Sequence, residues 1–308
     1  MNRLANMGLG LLAVLAVVMS IVALKVTSGD PSEPADAVGV EATPTTSRSA
    51  SPTPTVSDEP SEEPSASSTV EPLLPEEWFA SLRFGTLVRA PVQDCVPGAS
   101  TLTVSTSTDG GRTFLDAAVE DLTQVSGINI VGRDEATILG ADGACRTAMF
   151  ATDDGGETWK QRETSPRFWS LLPGVDDQIQ SPEGRVDVPC VPRSVSGIDG
   201  NVARLWCEDG QLMGTATGGN SWIVLGRVPE GFAMVFPTLA SGYVLGKTDE
   251  CTGTTVWTTE DAGADWEQVH CSTIDGPWGL AAEGRQVVIT GGAVADASPD
   301  AGRTWTTR

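Results

Sequence analysis

Apolar and polar residues alternate in short, β-rich runs along much of this chain. Leu102-Thr-Val104-Ser, Thr147-Ala-Met-Phe150 and Thr255-Val-Trp257 carry the β-rich signature of half-buried strands. No convincing 3.6-residue period follows residue 25, and 34 glycines and 20 prolines punctuate the chain. The pattern predicts an all-β head over residues 76–308, built from strands of four to eight residues.

One eight-residue text recurs at the strand ends, and a repeat fixes an architecture before any other signal. It reads Ser107-Thr-Asp109-Gly-Gly111-Arg-Thr113-Phe114 in 107–114 and Thr152-Asp-Asp154-Gly-Gly156-Glu-Thr158-Trp159 in 152–159. In 298–305 it is Ser298-Pro-Asp300-Ala-Gly302-Arg-Thr304-Trp305. The copy in 259–266 keeps Thr259, Asp261, Gly263 and Trp266; the copy in 215–222 keeps Thr215, Gly219 and Trp222 but has Thr217 for the aspartate. Each copy reads as strand, turn, strand. The aspartate is expected to accept backbone N–H groups two residues on, the common glycine to take a positive φ, and the aromatic to open the next strand.

The consensus Ser/Thr-x-Asp-x-Gly-x-Thr-Trp resembles the Asp-box, or BNR repeat, of sialidase-like β-propellers. The resemblance covers residues 76–308 and is closest in kind to small exported non-enzymes similar to the photosystem II stability factors. It implies four-stranded blades, with each box joining third and fourth strands on the face opposite the ligand. The box residues are then structural. The box aromatics are spaced by about 45, 63, 44 and 39 residues, near the length of one blade. Five blades are expected, starting at Trp78, Val125, Ser194, Phe232 and Trp278, or six if residues 163–192 form strands. Those residues fit no blade cleanly, and Arg167-Phe-Trp169-Ser-Leu-Leu172 is their one apolar cluster.

Ahead of the head, Gly8 to Leu24 is apolar except for Ser20, with Arg3 before it and Lys25 after it. This predicts a signal-anchor helix in residues 1–25 that leaves the C-terminal bulk outside the cytoplasm; the alternative is a cleaved signal peptide. Residues 26–75 are rich in Ser, Thr, Pro and Glu and too poor in large apolar groups to offset ordering entropy. They read as a disordered stalk whose ends lie about 40 Å apart as a flexible coil.

Composition narrows the partners. The 308 residues hold 19 Lys+Arg against 41 Asp+Glu, a net charge of -22, which argues against nucleic acid. The expected partners are the membrane, through the first helix, and an envelope glycan or exported protein; the expected state is a monomer. Six cysteines, Cys95, Cys145, Cys190, Cys207, Cys251 and Cys271, lie beyond the export signal and read as disulfides. Six allow 15 pairings. Cys190–Cys207 and Cys251–Cys271 each fall in or beside one predicted blade, which leaves Cys95–Cys145 across blades one and two. No metal site is expected: there is no CxxC spacing, and the single histidine is His270. No P-loop, Rossmann fingerprint or nucleophile elbow occurs, so no cofactor is expected.

Sialidase chemistry, the tempting implication of the resemblance, needs three arginines on a carboxylate, a tyrosine nucleophile paired with glutamate, and an aspartate. The chain has one tyrosine, Tyr243, and Arg89-Ala-Pro91 only echoes the family's Arg-Ile-Pro. The favoured expectation is a non-catalytic binding or scaffold module, with an exo-sialidase-like hydrolase as the alternative. The ligand mouth is expected at Arg133, Arg193, Trp278 and the 163–192 segment.

Overall fold

A computed structural model describes residues 77–163 and 165–308, all in strands, turns and loops. The anchor and stalk expected in residues 1–75 lie outside the described residues. Among those described, no helix is long and apolar enough to cross a membrane.

The first antiparallel meander is β1 (Glu77–Arg83), β2 (Thr86–Pro91), β3 (Thr101–Ser107) and β4 (Leu115–Glu120). The second is β5 (Gln124–Ile130), β6 (Ala136–Ala141), β7 (Thr147–Thr152) and β8 (Lys160–Arg162). A three-stranded sheet follows: β9 (Ser170–Leu172), β10 (Val175–Ser181) and β11 (Gly184–Asp187). Next come β12 (Pro192–Gly197), β13 (Ala203–Cys207), β14 (Gln211–Thr215) and β15 (Ile223–Arg227). Then β16 (Ala233–Val235), β17 (Gly242–Thr248), β18 (Cys251–Thr259) and β19 (Glu267–Ser272). The last meander is β20 (Trp278–Glu283), β21 (Gln286–Thr290), β22 (Ala295–Ser298) and β23 (Thr306–Thr307).

The first strands β1, β5, β9, β12, β16 and β20 touch in turn and close a ring. This is a β-propeller. At the closure β1 runs parallel to β20, with Glu77 opposite Trp278 and Trp78 opposite Gly279. That pairing fuses the first and last meanders into one eight-stranded sheet. The expectation of five or six separate four-stranded blades is therefore corrected. Four sheets have four strands or more, three of them with four and one doubled to eight, and the fifth has three. The sequence pattern could not show the fusion, because β1 and β20 are remote in the chain.

Five hydrophobic clusters fill spaces between neighbouring meanders, and each takes one repeat aromatic. Phe114 packs with Leu87 and Val288, Trp159 with Val104 and Phe150, Trp222 with Trp169 and Leu205, Trp266 with Leu212 and Phe236, Trp305 with Leu245 and Val287. A sheet that is apolar on both faces can bury itself only by stacking this way. The contact between β5 and β9 differs. The three-stranded sheet carries no repeat, and across this contact Ser170 Oγ donates to Ser126 O at 3.0 Å.

The repeat turns are closely similar. In the first, Ser107 Oγ donates to Asp109 Oδ1 (2.8 Å) and accepts from Gly111 N (2.8 Å). Asp109 Oδ1 also accepts from Arg112 N and Thr113 N, and Oδ2 accepts from Thr113 Oγ1. The copies at Asp154 and Asp300 repeat this net, and Asp261 accepts from Asp265 N at 3.0 Å. The carboxylate thus reaches three and four residues on, not two; the Ser/Thr hydroxyl does the nearer work. In the degenerate copy the Thr217 hydroxyl stands in, accepting from Ser221 N at 3.0 Å. The common glycines 111, 156, 219, 263 and 302 all have φ between +85° and +96°. A Cβ at Gly156 would collide with Thr106 of the preceding meander, so glycine serves both the turn and the close approach. Each aromatic sits one residue before its strand instead of opening it, because the turn uses up the residues between.

Candidate functional site

The ring encloses a cavity of about 760 Å³. Its wall comes from the first strands and from the segment leading into β9. It carries Arg83, Arg167 and Arg193 together with Glu77, Asp199 and Glu283, and the apolar Phe79, Phe168 and Phe232. A chain of net charge -22 therefore keeps as many guanidinium as carboxylate groups around its central opening.

The two ends of the cavity are distinguishable. Four repeat turns donate to the β-hairpin next to them in their own sheet: Gly155 N to Asp134 O, Gly218 N to Asn201 O, Ala262 N to Ala240 O and Ala301 N to Arg285 O. The turns therefore share an end of each sheet with the first-to-second-strand hairpins. Arg193 lies at the other end, since Pro192 pairs with Cys207 while Gly197 pairs with Ala203 beside that hairpin. Trp278 is likewise remote from the Glu283–Gln286 hairpin.

The residues expected at one mouth are accordingly divided. Arg133 sits in the hairpin that meets the second repeat turn, and its carbonyl accepts from Thr86 Oγ1 at 2.8 Å. It is not on the cavity wall. Arg193 is on the wall, its guanidinium 4.7 Å from the Trp206 ring. Trp278 stands just behind the wall, donating from Nε1 to Ile274 O at 2.9 Å. Its ring lies 6.2 Å from Phe232, which does line the cavity, and Lys247 Nζ sits 5.0 Å over it. Within the 163–192 segment, Arg167 to Leu171 and Pro182 reach the wall. Phe232 was missed from the sequence. Its signal is its place, like that of Trp278, at the head of an inner strand.

The disulfides brace the end away from the repeat turns. Cys190–Cys207 ties the approach of β12 to the end of β13, three residues before Arg193. Cys251–Cys271 joins β18 to β19, and Cys95–Cys145 joins the β2–β3 loop to the β6–β7 loop. All three expected pairings are present. The Cys145 turn is also held by Asp142, which accepts from Arg146 Nη2 at 2.7 Å. Hydrogen bonds from Arg146, side chain and then backbone, hold the Asp142 carboxyl below its ordinary range.

Tyr243 is not at the cavity. It is 1% exposed in the core between the β16–β19 sheet and the last meander, opposite Val235 and Thr258. Burial pushes its pKa up, against a hydrogen bond with the Thr258 side chain. Arg89 is also internal. It is 3% exposed, with its guanidinium 3.8 Å from the Trp78 ring and 3.6 Å from Phe114. It donates to Gly291 O through Nη1 and to Gly292 O at 2.7 Å through Nη2. Burial lowers its pKa to about 10, partly offset by Asp116, so it stays charged at neutral pH. The repeat aspartates bind protons weakly. Burial raises the pKa of Asp109, but hydrogen bonds from Thr113, Ser107 and Arg112 outweigh it and bring the value down to about 2. Asp154, Asp261 and Asp300 are lowered through bonds led by Thr158, Asp265 and Thr304. No group of three or more His, Cys, Asp or Glu that could hold a metal occurs among the described residues.

No family model matches the chain. No curated protein matches it either. Among solved structures it is similar to YCF48 bound to D1 peptide, at 17% identity and a TM-score of 0.31, over 76% of this chain and 66% of that one. It is similar to the GH74 xyloglucanase from Xanthomonas campestris, at 17% identity and 0.31, over 75% of this chain and 38% of that one. A fucose-specific lectin from Aleuria aurantia gives 11% identity and a TM-score of 0.47, over 75% and 93% of the two chains. The match thus spans less than two thirds of the first two structures.

Proposed function

We propose that the chain is a membrane-tethered, extracytoplasmic Asp-box propeller that acts as a binding or scaffold module. Its ligand, an envelope glycan or exported protein, sits at the end of the cavity away from the repeat turns. The observation that carries this reading is the rim. Arg193 over Trp206, and Phe232 beside Trp278 with Lys247 above it, flank a cavity of about 760 Å³. Concave sites with aromatic walls and a few fixed polar groups are where proteins take ligands. The disulfides beside β12 and β18 hold that rim in place before binding, which lowers the ordering cost.

The test is capture from envelope extract with the full-length chain and with an Arg193→Ala/Phe232→Ala variant. A specific protein or glycan retained by the first and lost by the second supports the reading; equal retention by both removes it. Tethering predicts that the protein resists alkaline extraction from membranes while external protease cleaves it.

The exo-sialidase alternative loses support from its own requirement. Its nucleophile would be Tyr243, which is buried between two sheets away from the cavity wall. No turnover of a fluorogenic sialoside is expected, and turnover abolished by Tyr243→Phe would reverse that conclusion.

A further inference from the structure

The three-stranded sheet ends one strand early. In the other meanders a fourth strand follows the repeat turn and pairs with the third: β4, β8, β15, β19 and β23. After β11 the chain instead passes through residues 188–191 into β12, leaving β11 as an outer edge.

This edge is held in place. Val186 lies against Gly219, the repeat glycine of the next sheet, where a Cβ would collide with it. Beyond β11, Cys190 is bonded to Cys207. Residues 184–191 alternate strictly between half-buried and exposed, as one extended run with Val186 and Val188 inward. Val188 N donates to Asp177 O at 3.0 Å, which makes residues 188 and 177 a hydrogen-bonded antiparallel pair. By the alternation of such pairs, Arg185 and Asp187 occupy non-bonded positions, so their N–H and C=O groups point away from β10. Native edges are commonly blunted by lysine, proline or a bulge. The β10–β11 register is regular and the run holds no lysine; its proline, Pro189, lies beyond the outward groups of Arg185 and Asp187. The exposed side chains of the sheet are acidic: Asp176, Asp177, Glu183 and Asp187 against Arg185.

We propose that the outer edge of β11 is a strand-addition site that takes an extended, basic segment of a partner protein as the absent fourth strand. Main-chain bonds to Arg185 and Asp187 set the register, as in other β-augmentation sites. The four carboxylates favour a segment in which lysine or arginine alternates with β-branched residues, and they disfavour an acidic one. The edge is separate from the cavity, so one protein could hold two partners at once.

The test uses the full-length chain and a fluorescein-labelled probe peptide, Lys-Val-Lys-Val-Thr-Val-Lys-Val. An acidic counterpart carries glutamate for lysine, and a third peptide is N-methylated at alternate residues. The expected result is anisotropy binding of the basic peptide, weakened at least tenfold by N-methylation and by glutamate. Hydrogen exchange should slow at residues 184–188, and 0.5 M salt should weaken binding. Arg185→Pro, which removes an outward N–H without touching a bond to β10, should weaken it tenfold, while Arg185→Ala should not. The N-methylated peptide tests pairing without altering the protein, should the proline variant fold poorly. Equal binding of the methylated peptide, or protection at the cavity rim or another strand edge instead of β11, overturns the proposal.

Discussion

Replacing Arg89 by methionine should open the ring at its seam. The guanidinium belongs to β2, and the carbonyls it serves, Gly291 and Gly292, belong to the loop after β21. Methionine keeps most of the packed stem between Trp78 and Phe114 but cannot donate. Each hydrogen bond to a charged group is worth about 1.5–3 kcal/mol. Each cation–π contact adds about 0.5–2 kcal/mol. Against this stands the cost of burying the cation, which its lowered pKa reports and which takes back several kcal/mol. The buried Gly291 carbonyl and the half-buried Gly292 carbonyl, left without a donor, tip the balance, and a net loss of about 3 kcal/mol is expected. In a domain of this size that is roughly 6–12 °C in melting temperature. Arg89→Lys keeps the charge but cannot fork to both carbonyls, so about 2 kcal/mol should be lost. Denaturant unfolding measures the sizes, and hydrogen exchange locates the loss in β1 and β20. A methionine variant within about 0.5 kcal/mol of the parent, the resolution of such data, would refute the clamp.

Further consequences can be measured on the same samples. Thr217→Asp should restore the charged form of the degenerate turn and stabilise by about 0.5–1 kcal/mol at pH 7, since the bonds from Ser221 become charge-assisted. Ala262 and Ala301 hold φ of +67° and +66°, where the first three copies have glycine; Ala301→Gly should raise stability by up to about 1 kcal/mol, read as a denaturant midpoint. The depressed pKa values of Asp109, Asp154, Asp261 and Asp300 contribute stability present above the unfolded value near 3.9. That stability is lost as pH falls towards about 2, so the melting temperature should drop through this window, and less steeply in Asp109→Asn. Removing Cys95–Cys145 as a double serine variant should cost about 4 kcal/mol by loop entropy over its separation of 50 residues.

The sequence disclosed what is local. The repeat turns, their glycines and the strands around them could be read because each depends on residues a few places apart; two disulfides fall beside one meander each, and Cys95–Cys145, between two meanders, follows by elimination. Turn reach and the place of the aromatics were off by one or two residues, since the hydroxyl and carboxylate share the turn in a way the consensus does not reveal. What the chain hid is what depends on closure. The pairing of β1 with β20 and the clamp at Arg89 arise from partners far along the chain. Residues 163–192 lacked a repeat, so nothing in them announced β9–β11. Phe232 escaped notice because one half-buried phenylalanine at a strand start resembles any core position.

The parallel contact of β1 with β20 also bears on how quickly this protein reaches its native state. Glu77 must find Trp278, and Arg89 must find carbonyls 202 and 203 residues away, after the intervening sheets have stacked. Closing so long a loop is entropically slow, and chains dominated by such distant contacts fold over milliseconds to seconds or longer. Until that encounter the inner faces of the first and last meanders, with Leu82, Leu87 and Val288, remain uncovered. The interval before closure is therefore when this chain is most exposed to aggregation, and when a chaperone would have most to protect.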